Sequence, residues 1–187
     1  MFVTNHVLSG VLIGRALEGR PVTAFAVGVG SHLLVDAIPH WGCDKSADDA
    51  SERFLAVARR DGLLGLAAMA AAGWAVDRRA RPAVIAAMAG AALLDLDKPM
   101  EHFFGIYPFP DPVRRLHTWI QNESTDGLPR EIAFGVVFAA ADALAALSSR
   151  RRNRPEMTGG SRAEARPRRG RRTPGRPGPT GLSRRPG

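Results

Sequence analysis

A chain of 187 residues suffices for one domain, and this one carries a formal net charge of +8. The charge sits at one end: Arg150 to Gly187 holds 13 Arg against Glu156 and Glu164, a net of +11, while the preceding residues hold 13 Lys and Arg against 16 acids, a net of −3. The single cysteine, Cys43, excludes an internal disulfide and argues against a thiolate metal site.

Five apolar runs follow one another along the acidic part. Val3 to Leu17 reads as a helix with Gly10 and Gly14 in the small-xxx-small spacing that lets helices approach closely, and His6 lies four residues before Gly10. The opening MFVTNHVLSGVLIG lacks the basic n-region of a secretory signal and reads as retained. Val22 to Ile38 is the second run, ended by Pro39. Asp44 to Arg60 is of mixed charge, a surface helix or loop. Gly62 to Val76 and Pro82 to Leu96 follow, separated by the basic turn at Asp77 to Arg81, with Pro82 suited to a first helical turn. Asp97 to Arg130 is polar, and its prolines exclude a long helix there. Glu131 to Leu147 is the last run, apolar apart from Asp142, for which the sequence suggests no role.

Each run has about 15 to 19 residues, against the roughly 20 that cross a bilayer core. Length is therefore ambiguous, and circumference is more informative. Leu63 to Val76 and Ala83 to Leu94 carry no charge on any face, whereas a surface helix of a soluble domain has a polar one. The expectation is an all-α, polytopic membrane helix bundle of about five spans over residues 1–149, with a disordered Arg/Pro/Gly-rich tail over 150–187. The positive-inside rule puts that tail in the cytoplasm and the protein in the inner membrane. The ends of the runs bearing His6, His32, Asp36, Asp95 and Asp97 then meet on the outer side, with His40, His102 and His117 in adjoining loops. Trp41, Trp74 and Trp119 fall near run ends, as interface anchors do.

The second run has one unusual stripe. Ala24, Gly28, His32 and Asp36 recur every four residues and so share one helix face; His40 continues the interval beyond Pro39. Imidazole and carboxylate one turn apart can reach one divalent ion, zinc foremost, with iron and manganese also suited. The candidate metal ligands are His6, His32, Asp36, His40, Asp95 and Asp97. Glu101 and His117 are candidates for general base or for completing the shell. A divalent ion with an open position activates water, which points to hydrolysis of an ester or phosphoester. The alternative is a non-catalytic membrane protein whose same residues hold helices together or bind a regulatory ion.

The segments TNHVLSGVLIG, SHLLVDAIPHWG and LLDLDKP resemble motifs of the bacterial inner-membrane metal-dependent hydrolases, whose His and Asp pattern is similar to that of zinc-dependent phospholipases C. The likeness implies that His6, His32, Asp36, Asp95 and Asp97 match that family's metal ligands, although here the DxD element follows the SHxxxD element. Membrane lipids are the expected partners, with anionic headgroups drawn to the tail and a small or lipid-like molecule as substrate. A nucleic-acid role is disfavoured, because no aromatic residue stands among the tail arginines to stack on bases.

Overall fold

The computed structural model describes residues 1–42 and 52–152, and the described residues are mostly helical, as the sequence led us to expect. The helices are α1 (Val3–Ala16), α2 (Pro21–Asp36), α3 (Glu52–Ala75), α4 (Arg81–Ala92), α5 (Asp97–Phe104), α6 (Asp111–Ile120) and α7 (Leu128–Arg152). A 3₁₀ turn, Leu94–Leu96, joins α4 to α5, so the fourth apolar run leaves the α-helix before Asp95, and Asp97 opens α5. The polar segment after Asp97, although rich in proline, holds two short helices. Pro112 sits in the first turn of α6, where a missing N–H costs nothing. Cys43, the part of the mixed-charge segment before residue 52 and the tail beyond residue 152 lie outside the described residues. Arg150 to Arg152, expected in the tail, belong to α7.

Helix α4 is the central element, packed against both α1 and α2. Glycine makes this possible. A methyl group on Gly10 would stand 2.7 Å from the Met88 Cα, and one on Gly14 would overlap the Val84 backbone. On the other side, Gly28 lies against the Ala87 carbonyl and Gly90 against that of Phe25. Backbones at this separation bury a core of small and medium side chains: Val7, Val11, Val76, Ala80, Val84 and Met88, with Ala24, Ala83 and Ala87 beside them.

The first turn of α1 is capped from other helices. Its orphan N–H groups need acceptors, and Asp61 of α3 accepts from Val3 N at 2.6 Å, Thr4 N at 3.2 Å and Thr4 Oγ1 at 2.6 Å. Glu131 of α7 accepts from Phe2 N at 3.1 Å and Asn5 Nδ2 at 2.7 Å. Two other helices, α3 and α7, therefore fix the turn that carries His6.

Two residue pairs form a short parallel ladder, His40 with Glu123 and Trp41 with Ser124. Just before it, Asn122 N donates to Asp36 O at 3.1 Å. The connection from α6 to α7 is thus stitched to the end of α2, which brings α6 over the same end of the bundle.

The expected count of five spans is not supported. Among the described residues one helix, over Leu128–Ser149 of α7, is long and apolar enough to cross a membrane. Helices α1, α2 and α4 have 14, 16 and 12 residues, short of the roughly 20 that a bilayer core requires. Helix α3 reaches 24 residues, but its first turns carry Glu52, Arg59, Arg60 and Asp61.

Candidate metal centre

His32 and Asp36 occupy successive turns of α2 on the face turned to α1 and α4, and both are fully buried. Burial of a polar side chain requires partners, and those of His32 define its chemistry. Its Nδ1 lies 2.7 Å from the Ala91 carbonyl, which can only accept, so Nδ1 carries the proton. Nε2 of the neutral ring then presents a lone pair.

That lone pair points into a cluster assembled from four elements. His117 of α6 places its Nε2 at 3.0 Å from His32 Nε2. Asp36 Oδ2 is 3.2 Å from the His32 nitrogen and 3.3 Å from that of His117. Asp95, from the 3₁₀ turn, completes a buried group in which one donor atom from each of His32, Asp36, Asp95 and His117 lies within 4.8 Å of every other. His6 of α1 stacks its ring on His32, with centroids 4.0 Å apart. Its Nε2 is 3.1 Å from Asp36 Oδ1 and 3.7 Å from Asp95 Oδ2. The Met1 nitrogen lies 2.6 Å from Asp36 Oδ1.

The separations suit a shared divalent ion. Ligands bonded at about 2.0–2.1 Å stand roughly 3.4 Å apart on a tetrahedral centre and 2.9 Å apart on an octahedral one. The edges from 3.0 to 3.3 Å among His32, His117 and Asp36 fall in that interval. A second sign is Asp95 Oδ2, which is buried and has no hydrogen-bond partner among the described residues. An orphaned carboxylate oxygen beside imidazoles is costly unless a cation answers it.

Asp97 acts differently. Its Oδ2 lies 3.2 Å from His117 Nδ1, on the far side of that ring from the cluster. A carboxylate there fixes the tautomer and directs Nε2 inward, as outer partners of metal-binding histidines do. Burial by itself lowers the His117 pKa, but the hydrogen bonds to Asp36 and Asp97 outweigh it and hold the value up at about 9.

The remaining expected residues lie elsewhere. His40 is buried on the ladder, where its Nδ1 donates to the Ile38 carbonyl at 2.8 Å and its Nε2 has no hydrogen-bond partner among the described residues; it is not in the four-residue group. Glu101 stands on the exposed α5 and accepts the Tyr107 hydroxyl. His102 is exposed beside Phe103. His117, expected as a base or shell residue, stands among the donors. Two neighbours, Gln121 and Lys98, were not flagged by the sequence. Gln121 Nε2 lies 3.1 Å from His117 Nε2. Lys98 Nζ lies 4.0 Å from Asp95 and 3.5 Å from Glu123 at the rim. Gln121 is four residues after His117 in sequence, so helical spacing would have flagged it only once α6 was recognised.

A buried His/Asp group that could hold a metal ion is therefore present. No protein-family model matches the chain, nor does any curated protein or any solved structure.

Proposed function

We propose that the protein is a membrane-embedded, metal-dependent hydrolase that acts on an ester or phosphoester, with zinc as the first candidate ion. The observation that carries this reading is the convergence of His32 Nε2, His117 Nε2, Asp36 and Asp95 on one buried point, with both imidazole tautomers set by partners outside the cluster. His32, Asp36, Asp95 and His117 would hold the ion, with His6 as a fifth ligand or as a hydrogen-bond donor to Asp36. A divalent ion in such a site supplies Lewis acidity toward a phosphoryl or acyl oxygen and lowers the pKa of water. Asp97 keeps the His117 ring in register, and Lys98 offers a cation at the rim to an anionic substrate group.

The inverted burial of α2 supports the membrane part of the proposal. Its enclosed stripe is small or polar, Ala24, Gly28, His32 and Asp36, while Val22 and Leu34 point outward at 83% and 73% exposure. Large apolar side chains outside with polar ones inside is an arrangement that lipid favours and water does not. In this reading, the arginines beyond residue 150 draw anionic headgroups on the cytoplasmic side of the inner membrane.

The test is metal analysis of the full chain purified in lipid nanodiscs, followed by assay on fluorogenic phosphomonoester, phosphodiester and carboxylester substrates. Stoichiometric zinc, iron or manganese, lost in His32→Ala together with turnover, is the expected result. Absence of tight metal would overturn the proposal. A second reading has its own support: Asp36 alone joins α1, α2 and α6 through its contacts with three imidazoles. Tight metal without turnover on any ester class would favour that structural or regulatory role.

A further inference from the structure

Helix α6 has three stripes. Val113, His117 and Ile120 face the protein, with His117 fully enclosed. Pro112, Leu116 and Trp119 form a second stripe beside the first, and all three are exposed, Trp119 at 81%. Asp111, Arg114, Arg115 and Thr118 make up the rest. Arg114, Arg115, Thr118 and Trp119 line an open hollow. Arg114 is engaged by Asp111 at 3.3 Å and lies 5.0 Å above the Tyr107 ring, whereas Arg115 has no carboxylate partner among the described residues. Phe103, Phe104 and Ile106, at the end of α5 and just past it, are also more than half exposed.

We infer that the exposed face of α6, with the aromatic end of α5, lies on the bilayer surface and engages anionic phospholipid headgroups. Exposed indole and phenyl rings beside guanidinium groups match the chemistry of the headgroup layer, where aromatic rings settle and arginines meet phosphate. The position on the chain agrees. The spanning segment of α7 begins at Leu128, eight residues after α6 ends, and the intervening strand is fastened to Asp36 through Asn122. The first turn of α7 is held at the same end by Glu131, which accepts from Phe2 N and Asn5. The surface therefore stands close to where α7 would enter the hydrocarbon. Arg115 and His117 share α6, so the helix that meets the headgroup on its outer face carries a donor of the metal cluster on its inner one. The inference rests on the membrane reading of α7 and is independent of whether the cluster is catalytic.

The experiment uses the full chain in nanodiscs of phosphatidylcholine with or without phosphatidylglycerol. In a Trp41→Phe/Trp74→Phe background Trp119 is the only indole. Its emission should be blue-shifted and quenched by lipids brominated near the headgroup, more strongly when phosphatidylglycerol is present. In the same background Arg114→Gln/Arg115→Gln should reduce the preference for phosphatidylglycerol about five-fold or more. Water-like Trp119 emission, quenched by iodide in both lipids, would overturn the inference, as would a response to phosphatidylglycerol that ignores both arginines. A separate variant with Trp41, Trp74 and Trp119 replaced by Phe and with Leu144→Trp reports insertion of α7. If that reporter also stays in water, the membrane reading itself has failed. If it enters lipid while Trp119 does not, the surface inference alone has failed.

Discussion

His32 and His117 stand 85 residues apart in the chain, yet their Nε2 atoms lie 3.0 Å from each other. Each ring is turned by a partner on its other nitrogen, the Ala91 carbonyl for His32 and the Asp97 carboxylate for His117. Two lone pairs aimed at one another are unfavourable unless a proton or a metal ion stands between them, which makes this pair the most direct place to probe the site.

If one ion joins the two rings, His32→Ala and His117→Ala should each abolish stoichiometric metal, and the double variant should lose no more than either single one. Ligands of one centre behave non-additively in this way. Metal analysis after dialysis against a weak chelator makes the comparison. Losses that add, each variant retaining part of the metal, would indicate two independent sites.

Asp97 touches His117 on the ring nitrogen turned away from the other donors, so Asp97→Asn should weaken metal affinity by about 10- to 100-fold without changing the stoichiometry at saturating metal. Competition with a fluorescent chelator measures this. Stoichiometry that stays low at saturating metal would place Asp97 among the ligands instead.

The pH dependence follows from the His117 imidazole, whose pKa is held up at about 9 against an ordinary 6.5. Because the folded value is raised, the proton stabilises the ion-free fold fully below about 6.5, and that contribution is lost as pH rises through about 9. An ion has to expel the same proton. Apparent metal affinity should therefore increase about tenfold per pH unit on approach to pH 9 and level off above it. Isothermal titration in buffers of different ionisation enthalpy should register proton release at pH 7. Affinity that is flat across this range would contradict the protonation assigned to His117.

Close packing gives a stability contrast within two glycines. Gly14 faces the Val84 backbone with no space for a methyl group, whereas Gly30 has nothing among the described residues within 4 Å of where a Cβ would stand. Gly14→Ala should cost at least about 1–3 kcal/mol, because α1 and α4 must separate. Gly30→Ala should be neutral or stabilise by up to about 1 kcal/mol, since alanine is the better helix former. Thermal unfolding in one detergent compares them, and equal behaviour would mean that α1 and α4 do not meet at Gly14.

Much of the helical framework was legible because it is local. The runs at Val3, Val22 and Pro82 correspond closely to α1, α2 and α4, and Gly10 and Gly14 do mark a close crossing. The count of spans was not legible from apolarity. A run without charges shows that a helix lacks a polar face, but its length against a bilayer is a separate property, and α4 stops at Ala92 where the chain tightens into the 3₁₀ turn. The two helices between Asp97 and Ile120 were hidden by prolines that occupy first turns or connections rather than helix interiors.

For the site, the pairing of His32 with Asp36 could be read from local spacing, because residues four apart share a helix face whatever the rest of the chain does. Which other residues join them depends on contacts between segments distant in the chain. Asn122 N bonds to Asp36 O and draws α6 over the end of α2, which turns His117 inward, while Glu101 and His102 stay on the exposed face of α5 and His40 is held on the ladder. Helical spacing repeats along a sequence and can be read from it. A loop's direction depends on hydrogen bonds between residues far apart in the chain, and these leave no period to read.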